Sequence, residues 1–558
     1  MGFLDPKPVT TAGLDAATAA KINAPGSATA TALNATIDTK VVAERATTAT
    51  SIETRVVTER ATTAAAIDDR RFNGLLKGLI PVADGCGTFA VSSKSNGTNT
   101  VGYTRSIHKV MVDAYDFRLV YVNFQHGEAG DNAITVTAKM EPLSANATPA
   151  NPTVLYPVTF DGQPSVTLAP WGLAISDPIP FNATTGQYLV PRTQVNVAAG
   201  GKWPYGRVLN PRVTGSEGRI EGTTETPGYM AAAAPTAIAG VYANAYVPYM
   251  IVATPSFVGG VSPSPKSVYG AGDSILHGLG TLPIAGWFGD AVRELTGWTY
   301  FAGCATGEIT PGFLAPNPRL QLLDSRWDYV LHEYGSNECA ALNLSDTKFN
   351  IIAGWRAEQA RGLKVLANTV SPRTTSTDGW NTTTNQTPDS AHNGVRVPYN
   401  QWLRDGAPLN ASTFAAVAIG GSGVRIGEAG HPVVALFDLA AAVESGTDTG
   451  LWKARQGRAF TATTTTNGGV VNSPDAVFTS ADLNETIWID NAGTAGADHF
   501  ATITNIRNAT QVDVIGITPT ATTSVSGSIG VVTSDGIHMT DTSTRLIKTA
   551  FKTFLQSL

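Results

Sequence analysis

The sequence predicts a multidomain chain: an N-terminal helical coiled-coil stalk, then a β-sandwich, then an α/β domain whose parallel sheet is flanked by helices and interrupted by a small all-β insertion. Three observations carry this. A fifteen-residue unit repeats near the start. Short apolar runs cut by Gly, Pro, Asn and Asp follow it. From Lys266 onward, strand-like runs alternate with helix-like ones. At 558 residues the chain is too long for one core, so several domains are expected.

The repeat reads TKVVAERATTATSIE over residues 39–53 and TRVVTERATTAAAID over residues 54–68. Ile37, Ile52 and Ile67 recur at this spacing, with Val41 and Val56 one turn after the first two. Fifteen residues over four turns is about 3.75 per turn, wider than the ~3.6 of a straight helix, so the seam implies a right-handed supercoil. So thin an apolar stripe is not buried by one helix alone but is by parallel partners. A stalk over residues 33–80 in a homotrimer is therefore expected; the alternative is a single amphipathic helix lying on a later domain. Residues 1–32 are rich in Ala and Thr, carry Pro6, Pro8 and Pro25, and are expected to be an extended attachment arm.

Residues 81–258 read as a sandwich. HKVMVDAY, RLVYVNF, AITVTAKM and QYLVPRTQVNV are β-rich runs separated by turn residues at sandwich-like spacing. Trp171, Trp203 and Tyr205 are either sugar-stacking platforms or packing residues, and aromatic side chains bury readily.

Residues 259–455 begin the α/β domain. SVYGAGDS is a strand and turn, and WFGDAVRELTG a helix ended by Gly297. DYVLHEYG is a buried strand, FNIIAGWRAEQARG a helix, and LKVLANTV a further strand. Such alternation builds a parallel sheet with crossover helices. Over residues 456–533 the helix pattern stops, and ETIWID, HFATITNIR, TQVDVIG and SGSIGVVTS predict an inserted β module. Residues 534–558 return to the α/β domain and end in a helix with Leu546, Ala550, Phe551, Phe554 and Leu558 on one face.

Composition excludes several classes. A net charge of −6 gives no basic footprint for nucleic acid. Cys86, Cys304 and Cys339 are odd in number and lack metal spacing, so buried or incidental thiols are expected. The first residues, with Lys7 and no apolar run behind it, do not read as a signal peptide. No stretch approaches the ~20 apolar residues of a membrane span.

Four short motifs carry chemistry. Gly272-Asp273-Ser274 ends a strand, where a serine is presented at the carboxyl edge of a sheet and its own N–H, at a helix start, faces a developing oxyanion. Alone it is equally a turn or N-cap serine. Ala305-Thr306-Gly307-Glu308 offers a glycine N–H that approaches substrate closely; its plain reading is a turn glycine. Gly335-Ser336-Asn337-Glu338 follows a strand and offers the Asn337 amide as a third donor, or only an Asx-turn. In Asp535-Gly536-Ile537-His538, His538 suits a general base and Asp535 its orienting carboxylate; the bland reading is a solvated histidine in a surface turn.

Taken in order, GDS, Gly, GxN and DxxH are the four blocks of the SGNH/GDSL hydrolases, and residues 266–455 with 530–558 resemble that family. The resemblance implies an SGNH-hydrolase domain, a serine esterase of carboxylic esters, with Ser274 as nucleophile and Asp535 and His538 completing the triad. It further implies an oxyanion hole of the Ser274 N–H, Gly307 and Asn337; no cofactor is expected, and with no HExxH, CxxC or paired-carboxylate motif in the sequence no metal is expected either. Three departures stand out. Glu338 occupies a place where Asp commonly follows the asparagine. The second block lacks its usual Asn, leaving Gly303 in Ala302-Gly303-Cys304 as a rival to Gly307. The gap to the last block is long, which the β insertion explains. Residues 157–181 are similar to the N-terminal sandwich of some actinobacterial GDSL-type proteins. Residues 1–28, and the segment from FTSADLNETIWIDNAG to TQVDVIG, resemble phage minor tail proteins.

Of the remaining histidines, His277 lies one turn past Ser274 and either lines the pocket or packs. His332 sits inside a strand, and His431 has no partner at metal spacing. The expected function is a phage tail esterase acting outside the cell on O-acyl groups of host surface glycan or glycolipid. Expected partners are its own copies as a trimer and other tail or baseplate proteins through the N-terminus. The rival reading is a non-catalytic receptor-binding or structural tail protein. A third, a secreted bacterial lipase, lacks the signal sequence it would need.

Overall fold

Alternating strands and helices place the GDS, Gly307 and Asn337 motifs at the carboxyl edge of a five-stranded parallel sheet. In the computed structural model β1 (Lys266–Gly272), β2 (Trp298–Ala302), β3 (Tyr329–Glu333), β4 (Lys364–Asn368) and β5 (Val433–Phe437) pair in the order β2-β1-β3-β4-β5. Every ladder is parallel. Their near-continuous burial, complete in β3, is what a sheet covered on both faces requires.

The described residues are 79–84, 94–125, 128–143, 155–208, 217–231, 244–256, 265–279, 281, 286–315 and 327–558. The expected arm over 1–32 and nearly all of the stalk expected over 33–80 lie outside them. Met1–Gly74 is a separate unit, and Leu75–Leu558 is one compact unit.

Within that unit the first part is two antiparallel sheets. Ala114–Val122 is the hub of the smaller, pairing with Met250–Pro255, Leu173–Ile175 and Ile179–Ala183. Tyr188–Asn196 is the hub of the larger, between Val101–Arg105 and Ile134–Leu143. The Tyr121 hydroxyl meets the Thr193 hydroxyl at 2.7 Å and ties one sheet to the other. Ile80–Pro81 already belongs to this part, so its sheet begins at the margin of the span expected for the stalk. Trp203 and Tyr205 are buried, and Trp171 is half-buried against Phe124, so in the described structure these aromatics pack.

The helices of the α/β part are α1 (Ser274–His277), α2 (Gly286–Arg293), α3 (Thr310–Phe313), α4 (Ser336–Ala341), α5 (Leu344–Gln359), α6 (Ser390–Arg404), α7 (Leu439–Val443) and α8 (Asp541–Gln556). The C-terminal α8 packs on α2 around Phe551. Its ring lies edge-on to Trp287 at 5.0 Å and to Phe437 at 5.0 Å. The buried seam of α8 is Ile547, Phe551 and Leu555. That is one residue round from the face expected from the sequence: Phe554 and Leu558 sit at its margin and Ala550 is exposed. Spacing alone does not choose between two adjacent apolar rows; Trp287 and Phe437 do.

The insertion is a closed six-stranded antiparallel barrel, Ala459–Thr464, Gly468–Asn472, Gln511–Thr518, His499–Asn508, Thr486–Ile489 and Thr522–Ile529 in order around it. Closure removes free sheet edges. Its two ends lie side by side: Gln456 N–H donates to Gly530 O at 2.8 Å, and Ile529 N–H to Arg458 O at 2.8 Å. The chain therefore leaves and re-joins the α/β part at one point. Arg545 and Thr542 of α8 reach Glu485 at 2.5 and 2.6 Å, and Thr502 donates to Asp541 at 2.6 Å, which seats the barrel on the first turns of α8.

Phe551→Ala empties the centre of this aromatic cluster. It is expected to cost about 3–5 kcal/mol in urea unfolding; a loss below about 1 kcal/mol would place the core elsewhere.

Candidate active site

Ser274 is the first residue of α1, directly after β1. Asp273 caps the helix, its Oδ1 accepting from Ile275 N–H at 2.8 Å. As first residue, Ser274 has an N–H with no acceptor inside the helix. Its hydroxyl lies 3.0 Å from His538 Nε2, and His538 Nδ1 lies 2.6 Å from Asp535 Oδ2. Three side chains the sequence set up to 264 positions apart thus meet. Ser274 is buried, His538 is 15% exposed and Asp535 48%, so the group opens to solvent at one side.

The turn bearing His538 is held from several directions. Asp535 Oδ1 accepts from the N–H groups of Ile537 and His538, each at 2.8 Å. Thr533 Oγ1 accepts from Gly536 N–H at 3.0 Å and donates to His538 O at 2.7 Å. Gly536 O accepts from Trp452 Nε1 and from Thr374 N–H, both at 3.0 Å. Gly536 has φ +79°, and a Cβ there would fall 1.8 Å from Thr374 O, so only glycine fits. Burial alone raises the Asp535 carboxyl. The hydrogen bonds and charge of His538 outweigh it and hold the group below the usual carboxylate range. Asp535 therefore stays ionised beside the ring, and the Nδ1 atom facing it is the protonated one.

Three backbone or amide donors were expected nearby. Gly307 sits in an exposed turn at φ +75°, and among the described residues its N–H meets no acceptor. The rival Gly303 is engaged otherwise: its N–H donates to Gly270 O at 2.8 Å, and a Cβ would strike the Tyr269 hydroxyl. Asn337 is the second residue of α4. Its Nδ2 donates to Asp273 Oδ2 at 2.9 Å and to Glu308 O at 3.1 Å. Both amide hydrogens are thus occupied, and Asn337 reaches a new oxyanion only by releasing one of them. The same two bonds draw the three motif-bearing loops together.

Sequence reasoning missed what lies beneath. Asp273, Glu308, Glu333 and Glu338 are all buried, in the segments at the carboxyl ends of β1, β2 and β3. Burial pushes Asp273 up to about 8, the charges of Glu338 and Glu308 push the same way, and the Ile275 N–H opposes them only in part. Burial next to Asp273 also holds Glu333 well above the usual range. Carboxylates at positions −1, +34, +59 and +64 from the serine leave no periodic trace, although Asp273 and Glu338 are visible as motif neighbours. His277 is buried, with neither ring nitrogen hydrogen-bonded among the described residues. Burial, then the nearness of His538, lowers it to about 4, so it is neutral. His332 is a core residue paired with Glu358, and His431 bonds main-chain atoms of Val433 and Ala407. Among the described residues, no three His, Cys, Asp or Glu side chains group to hold a metal ion.

No family model matches the chain, and no curated protein does. Structural neighbours are SGNH/GDSL esterases over part of the chain and at low identity. TesA is 24% identical over 19% of this chain and 61% of its own, with TM-score 0.17. The psychrotrophic esterase EstA from Pseudoalteromonas sp. is 19% identical over 19% of this chain and 60% of its own, with TM-score 0.16. AlinE4, an SGNH-hydrolase family esterase, is 16% identical over 26% of this chain and 75% of its own, with TM-score 0.18. The matched region of this chain spans about three fifths of the length of TesA and of EstA.

The raised Asp273 has a direct consequence for stability. Its unfolded value is about 3.9 and its folded value about 8. Between these, unfolding releases a proton, so stability falls as pH rises. Asp535, lowered instead, contributes stability that is lost only in acid, as pH drops through its folded value. The thermal midpoint should therefore fall from about pH 5 to about pH 8, and Asp273→Asn should flatten that slope. An unchanged slope in the variant would show that Asp273 does not carry the proton.

Proposed function

We propose that this chain is a serine esterase of the SGNH type whose triad is Ser274, His538 and Asp535. The observation that carries the reading is the continuous line of contacts from the Ser274 hydroxyl to His538 Nε2, 3.0 Å, and from His538 Nδ1 to Asp535, 2.6 Å. His538 takes the serine proton as Oγ adds to the ester carbonyl, and Asp535 stabilises the imidazolium that forms. The negative oxygen of the tetrahedral species is met by the N–H groups of Gly307 and Ser274, with Asn337 joining if it turns one hydrogen away from Asp273 or Glu308 O. Collapse expels the alcohol, which leaves with the proton held by His538. Water, deprotonated by the same ring, then releases the acid and restores Ser274.

We place this activity in a phage tail, acting on esters of the host cell envelope, with O-acyl groups on surface glycan as the substrate class. The sequence similarities of residues 1–28 and of the insertion to tail proteins support the setting, and the fifteen-residue repeat supports a trimer. A half-exposed Asp535 and a partly open His538 suit an ester borne on a large polymer better than one drawn into a closed tunnel.

Ser274→Ala should lower hydrolysis of p-nitrophenyl acetate by roughly 10³-fold or more and abolish covalent labelling by a fluorophosphonate. Equal turnover in the variant would end the esterase assignment and favour a receptor-binding role. On purified host envelope fractions, wild type should free a short carboxylic acid, identified by mass spectrometry, that Ser274→Ala does not. Turnover of the small ester with no acid from the envelope would overturn the substrate class alone. Sedimentation of the full chain should give three copies per particle; a monomer would remove the stalk reading.

A further inference from the structure

We propose that Glu338 is a positioning residue for the oxyanion hole: one buried carboxylate that fixes the loop of Gly307 and the loop of Asn337 at a set distance. The inference rests on the esterase reading above and goes beyond its triad.

Glu338 is fully buried in the first turn of α4. Its Oε2 accepts from Gly335 N–H at 2.9 Å, two residues before Asn337. Its Oε1 accepts from Thr310 N–H at 2.7 Å and from the Thr310 hydroxyl at 2.9 Å, three residues after Gly307. Three donors and no acceptor face it, the pattern an ionised carboxylate satisfies and a protonated acid or an amide does not. A plain helix cap would explain the bond to Gly335. It leaves both bonds to Thr310 unexplained, since Thr310 belongs to another loop and another helix, α3.

The network continues behind Thr310. Its hydroxyl oxygen also lies 3.3 Å from His332 Nε2. His332 Nδ1 lies 2.9 Å from Glu358 Oε1, and both residues are buried. The line Glu358, His332, Thr310, Glu338 therefore runs from the C-terminal end of α5, across β3, to the two donor loops. Around Glu338 itself both carboxylate oxygens are bonded, and another arrangement of either loop leaves a buried group unpaired. Gly335 adds a steric stop: at φ +130° a Cβ there would press into Val370.

An oxyanion donor acts only when held near its bonding distance, and misplacement by about 1 Å costs about 10²-fold. Glu338→Gln keeps the volume but must turn an amide N–H₂ toward Thr310 or Gly335. It should lower kcat for p-nitrophenyl acetate by about 10²-fold, counted per serine titrated with fluorophosphonate, while KM changes by no more than about twofold. Glu338→Asp keeps the charge and should recover part of that loss. A merely structural role would instead reduce the fraction of titratable serine and the thermal midpoint, with kcat per titrated site unchanged; that result, or wild-type kinetics in Glu338→Gln, overturns the proposal. Failure of wild type itself to react with the fluorophosphonate would overturn the esterase reading, and this inference with it.

Discussion

The bond between Ser274 and His538 is the constraint around which the rest of the α/β part is arranged. A hydroxyl at the end of the second strand in the sheet order must meet an imidazole on a turn that arrives after every other strand has been laid down. Nothing in the turn itself could aim it. The four residues 535–538 have one internal anchor, the carboxylate of Asp535, and owe the remainder of their placement to Thr374, Trp452 and Thr533. Those contacts come from segments far apart in the chain, so the aim of the ring depends on the assembled domain and not on the turn alone.

That arrangement has an electrostatic cost which the protein bears on one side only. Four acidic side chains lie out of water, and burial disfavours each charge. Glu338 is compensated by three donors and Glu308 by the hydroxyl of Tyr334. Asp273, although it accepts from Ile275 N–H and Asn337 Nδ2, and Glu333, whose Oε2 has no hydrogen-bond partner among the described residues, are driven toward their neutral forms by burial. On the solvent side Asp535 has the opposite balance, with a ring and two N–H groups facing it, and remains charged. A neutral acid beneath Ser274 and an ionised one beside the histidine fit the esterase reading proposed above, since a second negative charge directly below would oppose an oxyanion.

Much of the α/β part was legible because its signals are local. Strand β3 announces itself as an apolar run, Gly297 ends its helix, and each of the four motifs sits where a strand gives way to a turn. The β module, with its short runs and turn residues, was equally plain as an interruption. What stayed hidden depended on pairings between distant positions. Glu338 looked like a minor departure from a motif, and its partner Thr310 had no mark at all. Trp452 could be read as core, but its indole N–H to Gly536 O has no sequence signature. The amide of Asn337 was visible, yet its engagement with Asp273 and Glu308 O was not. On α8 the apolar content was right and the facing row one residue off, because two adjacent rows are both apolar and only the opposing Trp287 and Phe437 decide between them.

The barrel joins its host at a single stitched point, Gln456 to Gly530 and Arg458 to Ile529. Its strands close on themselves, so it brings its own core and takes little from the sheet. Beyond the stitch it leans on the α/β part at the start of α8, through Gly379 beneath Trp488, through Trp380 near Phe500 and through the bond from the Ser528 hydroxyl to Asn381. Such a module is a cassette. Substitutions in its outer strands are therefore absorbed within its own core, and the hydroxyl and the imidazole still find each other.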